Sequence, residues 1–226
     1  MAKKIAVIGA RGGVGRLIMK KLVESDDFTP FPFVRKREQL EELEKECGVK
    51  GTCKNIEDSS VEEIAELIKG CDALVFTAGQ GGKGPVERIF SVDLDGAIKA
   101  TEACEMAGVK QLVIVSALGT DNRKLWEETG LRYYFIAKKS ADVSLETSTL
   151  DYTILQPGAL LSGEKGTGLY TLPDEVESKA AIHYAVERED VAAAIFYSLS
   201  HPQAVKRKRI PLVNGDRSIS ELIAAL

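Results

Sequence analysis

Apolar and polar positions along this chain switch repeatedly between two periods. "KIAVIG" (4–9) is a short apolar run ending on glycine. "VGRLIMKKLVES" (14–25) then sets Val14, Leu17, Ile18, Leu22 and Val23 at helical spacing. The alternation continues with strand "FPFVR", helix "REQLEELEKE", strand "VKGTC" and helix "SVEEIAELIKG", for which Ser60 is the expected cap. Strand "DALVFTAG" leads into one long helical stretch, "VERIFSVDLDGAIKATEACEMAG", closed by Gly108. Strands "KQLVIVSA", "DYTILQPG" and "KRIPLVNG" and the helix "REDVAAAIFYSLS" complete the pattern. The strands are apolar on both faces, which predicts a parallel sheet covered on both sides: an α/β, doubly wound Rossmann-type fold. No repeat or linker interrupts the chain, so residues 1–226 read as one domain. The stretch 160–187 is an irregular, substrate-side loop, expected to be a mobile cover, with a wrap packed permanently on the sheet edge as the competing reading.

Composition narrows the function. With 226 residues, 44% hydrophobic and 28% charged, the chain has material for a substantial core. A net charge of −4 gives no general attraction to phosphate backbones, so nucleic acid is not an expected partner. No apolar run is long enough for a membrane span, and the lysines after Met1 leave no room for a signal peptide. Cys47, Cys53, Cys71 and Cys104 form no CxxC pair, and His183 and His201 lie far from them, so no zinc site is expected. These thiols read as reduced, mostly core residues of a cytoplasmic protein.

The chemistry concentrates where strands meet helices. Gly9, Gly12 and Gly15 form G-x-x-G-x-x-G between the first strand and the first helix. Gly9 permits a sharp turn. Gly12 and Gly13 lack a Cβ, which lets the backbone approach a pyrophosphate, and Gly15 allows tight helix packing. Val14 belongs to the helix start, whose unpaired N–H groups and positive dipole end favour phosphate. The end of the second strand bears on the choice of dinucleotide. Where an acid would accept from ribose hydroxyls, this chain has Arg35 and Lys36, with Glu38 only later. A guanidinium can grip a 2′-phosphate, so the cofactor is expected to be NADP (NADPH), with Arg11 of the glycine loop near the same group. A solvated charge cluster opening the next helix is the competing reading. Further candidate cofactor contacts are Asn55, Ala78, Gly79 and Pro157. "GQGGKG" is not a Walker A loop, because Gly84 follows Lys83.

"GARGGVG", "DALVFTAG", "LVIVSA", "YFIAK", "ILQPG" and "REDVA", in this order, resemble the atypical, NAD(P)-binding branch of the short-chain dehydrogenase/reductase superfamily. That branch includes flavin and biliverdin reductase-like and NmrA-like proteins; the overall pattern also suggests small fungal cytoplasmic members. The resemblance implies Tyr134 as general acid/base, Lys138 as its electrostatic partner and ribose ligand, and Ser116 as the hydroxyl that polarises an acceptor. Tyr134 and Lys138, four apart, share one helix face, and a neighbouring cation favours the phenolate. Tyr134 as a packing aromatic remains open. Gln156 departs from the arginine of many relatives. The implied function is an NADP-dependent oxidoreductase acting on a small-molecule acceptor. The alternative is a non-catalytic NADP(H) sensor with a regulatory protein partner. Epimerase chemistry on a nucleotide sugar is disfavoured by the short region left to hold such a substrate. Trp126 reads as a packing anchor. The 206–209 basic run reads as a solvated connection, with a nuclear signal left open.

Overall fold

A computed structural model describes residues 1–81, 84–163, 166–176 and 184–226. Lys83 and His183 lie outside the described residues.

Seven parallel strands make the central sheet. They are β1 (Lys3–Ile8), β2 (Phe28–Val34), β3 (Thr52–Cys53), β4 (Ala73–Phe76), β5 (Gln111–Val115), β6 (Asp151–Pro157) and β10 (Lys208–Leu212), in the order β10-β6-β5-β4-β1-β2-β3. Between β6 and β10 come the short β7 (Ala159–Leu161), β8 (Leu169–Tyr170) and β9 (Ala185–Glu187); β11 (Arg217–Ser218) follows. The helices are α1 (Gly13–Val23), α2 (Arg37–Cys47), α3 (Val61–Ile68), α4 (Asp95–Ala107), α5 (Arg123–Thr129), α6 (Arg132–Thr147), α7 (Pro173–Val176), α8 (Arg188–Ser200), α9 (Pro202–Val205) and α10 (Ile219–Ala224).

The two-residue period of the strands builds two cores. Ile5, Val7, Val75 and Val113 face α1 and α8, where Ile18, Leu22, Val191 and Ile195 meet them. Ala6, Ile8, Leu74 and Ile114 face the other way, against Ile64, Ile68, Ala100 and Leu145. The chain lays β1, β2 and β3 outward in one direction, then returns to place β4 on the other side of β1. At that reversal the loops leaving β1 and β4 diverge, and a crevice opens at the C-terminal ends of the strands.

Ser60 caps α3 by accepting from the Glu63 N–H, as its position implied. Trp126 is a buried anchor: its indole N–H donates to Gly119 O at 2.9 Å, and its ring stacks on Phe135. Three expectations change. The long helical stretch is two pieces, a π-helical segment at Ile89–Leu94 followed by α4. Only Cys71 and Cys104 are core thiols; Cys53 is exposed and Cys47 half-buried. The described part of the supposed mobile cover is fastened down. Tyr170 is fully buried and donates to Asp190 O at 2.7 Å. The Asp190 carboxylate accepts from the Thr167 and Gly168 N–H groups at 3.0 and 2.7 Å. Gly163 and Gly166 serve close approach, because a Cβ would meet Glu187 or Asp190 at 2.8 and 2.2 Å. Residues 164–165 and 177–183 of this stretch lie outside the described residues.

The 206–209 basic run is tied to the fold. Arg207 donates to the Glu146, Ser148 and Leu150 carbonyls near the end of α6, and Arg209 pairs with Glu146 and Asp121. Lys206 pairs with Asp151, and Lys208 donates to Ile223 O.

Candidate active site

The glycine loop shows why its residues are glycines. Gly9 has φ +91°, and a Cβ there would stand 2.6 Å from the Ala78 backbone N. At Gly15 a Cβ would come within 2.1 Å of Gly9 O, so this glycine lets α1 turn back over its own loop. Gly12 caps α1 without a side chain, and no acid occupies the first turn. The first N–H groups of the helix therefore have neither an intrahelical acceptor nor a side-chain cap. Gly13 departs from its expected reason: its open face holds the Arg188 side chain, whose Cδ and Nε a Cβ would meet at 2.8 Å. Arg188 donates to Leu160 O and Ser162 Oγ. Sequence reading gave this arginine no site role, because nothing local links the start of α8 to the start of α1.

Two hollows share the glycine loop. The smaller, about 200 Å³, lies over the ends of β1 and β2 and is lined by Gly9, Arg11, Gly12, Arg35, Asn55, Ala78 and Gly79. Lys36 lines neither hollow. It precedes α2, where its N–H donates to Gln39 Oε1 at 3.2 Å. The basic groups here differ in freedom. Arg11 bonds Glu42, Lys54 pairs with Glu63 at 2.9 Å, and Arg88 pairs with Glu57 at 2.8 Å. Arg35 is exposed and has no ion pair or hydrogen bond among the described residues. Its field still contributes to holding Glu57 below the usual carboxylate range. There, burial pushes up but hydrogen bonds from Ser91 and Arg88 outweigh it. Asn55 lines the hollow while donating to Asp58 at 2.7 Å.

The larger crevice, about 1400 Å³, runs from Gly12, Gly13 and Val14 past Ala78 and Gly79 to Ser116, Tyr134, Lys138 and Pro157. Its far wall is largely apolar, with Val86, Leu118, Leu131 and Tyr133 among the lining residues. Tyr134 and Lys138 sit one turn apart on α6, with Lys138 Nζ 5.7 Å from the Tyr134 ring centre. Lys138 is 4% exposed; its ammonium lies 3.0 Å from Asp93 Oδ1 and donates to Val115 O at 3.2 Å. Burial pulls Lys138 down, but the fields of Tyr134 once ionised, Asp93 and Asp142 outweigh it, so the amine is charged at neutral pH. Tyr134 corrects the expectation of a favoured phenolate. Burial raises it more than Lys138 lowers it, and the Asp93 and Asp142 fields add to the rise, so the phenol keeps its proton.

One turn further along α6 is Asp142, fully buried. Its Oδ2 accepts from Gln156 Nε2 at 3.3 Å, and the same amide donates to Thr120 Oγ1 at 3.1 Å. Gln156 is thus a buried bridge. Burial drives Asp142 up to about 6, against the pull of Ser116, Arg209, Lys138 and Gln156. Asp142 Oδ1 and Ser116 Oγ, both buried, form no close hydrogen bond among the described residues, though the Ser116 hydroxyl acts on the Asp142 carboxylate. Ser116, 2% exposed, lines the crevice with its hydroxyl turned toward Asp142. Asp93 and Asp142 were missed by sequence reading. Each lies in a helical stretch where an acid resembles ordinary surface charge, although the Tyr134, Lys138, Asp142 spacing of four was there to be read.

Among the described residues no helix is long and apolar enough to cross a membrane, and no cluster of side chains could hold a metal ion.

Residues 9–202 match the NAD(P)H-binding family. The chain is 51% identical over 225 residues to the "UPF0659 protein YMR090W" of Saccharomyces cerevisiae, covering 99% of this chain and 98% of that one. It is 40% identical over 223 residues to a Bacillus subtilis protein, YhfK, named an uncharacterized sugar epimerase, covering 99% and 100%. The crystal structure of the Lactococcus lactis oxidoreductase ylbE superposes with a TM-score of 0.83 at 32% identity, over 99% of this chain and 96% of that one. The Rossmann-type architecture read from the alternation of strands and helices is thereby borne out, and the chain belongs to the NAD(P)H-binding family.

Proposed function

We propose that the protein is an NADPH-dependent reductase of a small acceptor. The observation that carries this reading is the crevice itself: one continuous hollow joins the glycine loop to the Ser116 hydroxyl, the Tyr134 phenol and the Lys138 amine. The residues fit a dinucleotide. Gly9 and Gly15, where a Cβ would strike Ala78 N and Gly9 O, allow the tight loop that leads into α1, and α1 offers uncapped N–H groups for the pyrophosphate. Arg35, unpaired at the end of β2, suits a 2′-phosphate, with Arg11 beside it; this supports NADPH over NADH. In this reading Lys138 binds the nicotinamide ribose and Ser116 the acceptor's oxygen.

Bound there, the cofactor supplies hydride. Tyr134 donates the balancing proton to the acceptor's oxygen from its protonated form, and Lys138 stabilises the phenolate left behind. Ser116 orients that oxygen through its hydroxyl. The apolar residues on the far wall suit an acceptor with little charge.

The name of the Bacillus relative suggests a second reading, epimerisation. That chemistry begins with oxidation of an alcohol, for which Tyr134 must act as a base. NADPH oxidation against a panel of quinones, flavins, aldehydes and ketones tests the proposal. Turnover with one class, lowered about 10²- to 10⁴-fold in Tyr134→Phe with NADPH binding unchanged, is the expected result. Tight NADPH binding with no turnover on any class would instead favour the sensor.

A further inference from the structure

Four charged residues in a row, Glu187, Arg188, Glu189 and Asp190, stand where α8 begins. The three acids have partners. Glu187 accepts from the Gly163 N–H at 2.7 Å, Glu189 pairs with Lys21 at 2.6 Å, and Asp190 accepts from the Thr167 and Gly168 N–H groups. Arg188 has no ion pair among the described residues. Its place makes that costly. It is the first residue of α8, and its Cδ and Nε lie against Gly13, the first residue of α1, whose first turn holds no acid. Both helix starts disfavour a cation. A guanidinium has five N–H donors in a fixed fork. Nη1 uses its two on Leu160 O, at 3.2 Å, and on Ser162 Oγ. The Nε proton and both Nη2 protons have no acceptor among the described residues. Arg188 also lines the large crevice, together with Gly12, Gly13 and Val14. A lone cation between two positive helix ends, with donors to spare and a crevice beside it, calls for an anionic ligand.

We infer that Arg188 binds the cofactor's pyrophosphate and ties it to β7: the unengaged side of the fork takes a phosphoryl oxygen beside the glycine loop, while Nη1 holds Leu160 and Ser162. The inference rests on the reading of the crevice as a dinucleotide site. A pyrophosphate brings negative charge to all three positive groups at once, and its oxygens match the guanidinium fork. The 2′-phosphate is a different group, because Arg188 does not line the smaller hollow where Arg35 stands. Ala159 and Leu160 of β7 also line the crevice, so a single side chain joins the cofactor to that wall.

The test is titration of NADPH and NADH, followed by cofactor fluorescence, into wild type and Arg188→Met, whose unbranched side chain still covers Gly13. Both dinucleotides carry the pyrophosphate, so both should weaken by the same factor, about tenfold to hundredfold. Adenosine 2′-monophosphate has the 2′-phosphate but no pyrophosphate, and in competition with NADPH it should keep its wild-type affinity. Arg188→Lys, which keeps the charge without the fork, should recover part of the loss. Ser162→Ala should weaken both dinucleotides by a smaller factor, and should cost nothing further on the Arg188→Met background. If Arg188→Met does not fold, Arg188→Gln serves in its place. Unchanged dinucleotide affinities would overturn the inference, and a raised KM for the acceptor alongside them would assign the guanidinium to the acceptor instead. A loss that the monophosphate shares would make Arg188 a scaffold of the glycine loop and overturn it equally. If wild type binds neither dinucleotide, the reading of the crevice fails first and takes the inference with it.

Discussion

The two hollows that share the glycine loop hold charge in opposite ways. Over β2 the basic groups lie near the surface: Arg35 is exposed, and the Lys54–Glu63 pair is open to water on both sides. Beside α6 the charges are sealed in, with the Lys138–Asp93 side chains 5% and 2% exposed. The difference teaches how each hollow should work. Exposed charges attract a ligand through a field that salt weakens, and each contributes modestly. Buried charges keep their strength whatever the salt, but each depends on its partner.

The comparison breaks most visibly at Lys138. Lys138→Met strands the Asp93 carboxylate in the interior and should destabilise the fold by about 3–5 kcal/mol, with little response to salt. Urea denaturation at low and high salt measures this; a cost below about 1 kcal/mol would mean the pair is not sealed from water.

In the other hollow, Arg35→Asp should leave stability nearly untouched. It should cost NADPH about 1.5–3 kcal/mol, a tenfold to hundredfold loss of affinity, and leave NADH unchanged or improved. Titration of both cofactors against the variant reads the effect.

Asp142 sharpens the contrast through pH. Its folded pKa, near 6, lies above the ordinary aspartate value of about 3.9, so folding favours the protonated form. The resulting penalty is absent below about pH 4, grows as pH rises to about 6, and is constant above that. Asp142→Asn should therefore stabilise the protein by about 1–3 kcal/mol at pH 8 and leave it unchanged near pH 3. Thermal melts across that range decide it, and a variant less stable than wild type at pH 8 would place Asp142 in a satisfied ion pair.

Much of this fold was legible because period and punctuation agree. α8 runs from Arg188 to Ser200 as its sequence reads, and the glycine loop leads from β1 into α1 as expected. The site was legible only in part. Tyr134 and Lys138 are four residues apart and Ser116 ends a strand, so local spacing brings them into view. Asp93 shows no local sign, because a helical spacing pattern does not distinguish π from α geometry or an inward acid from an outward one. Arg11 looked free for phosphate, yet α2 brings Glu42 to it, a meeting set by how the sheet lays two helices side by side. The same holds for Tyr170, which lies in a glycine-rich stretch that reads as loose and is locked by an aspartate twenty residues on.

We propose a reductase whose NADPH is selected in the smaller, exposed hollow beside Arg35. Parallel titration of wild-type protein with NADPH and NADH over a range of salt tests it most directly. The account predicts NADPH bound at least about tenfold more tightly at low salt, with the advantage shrinking as salt screens Arg35 while NADH affinity changes little. Equal affinities at low salt would contradict it.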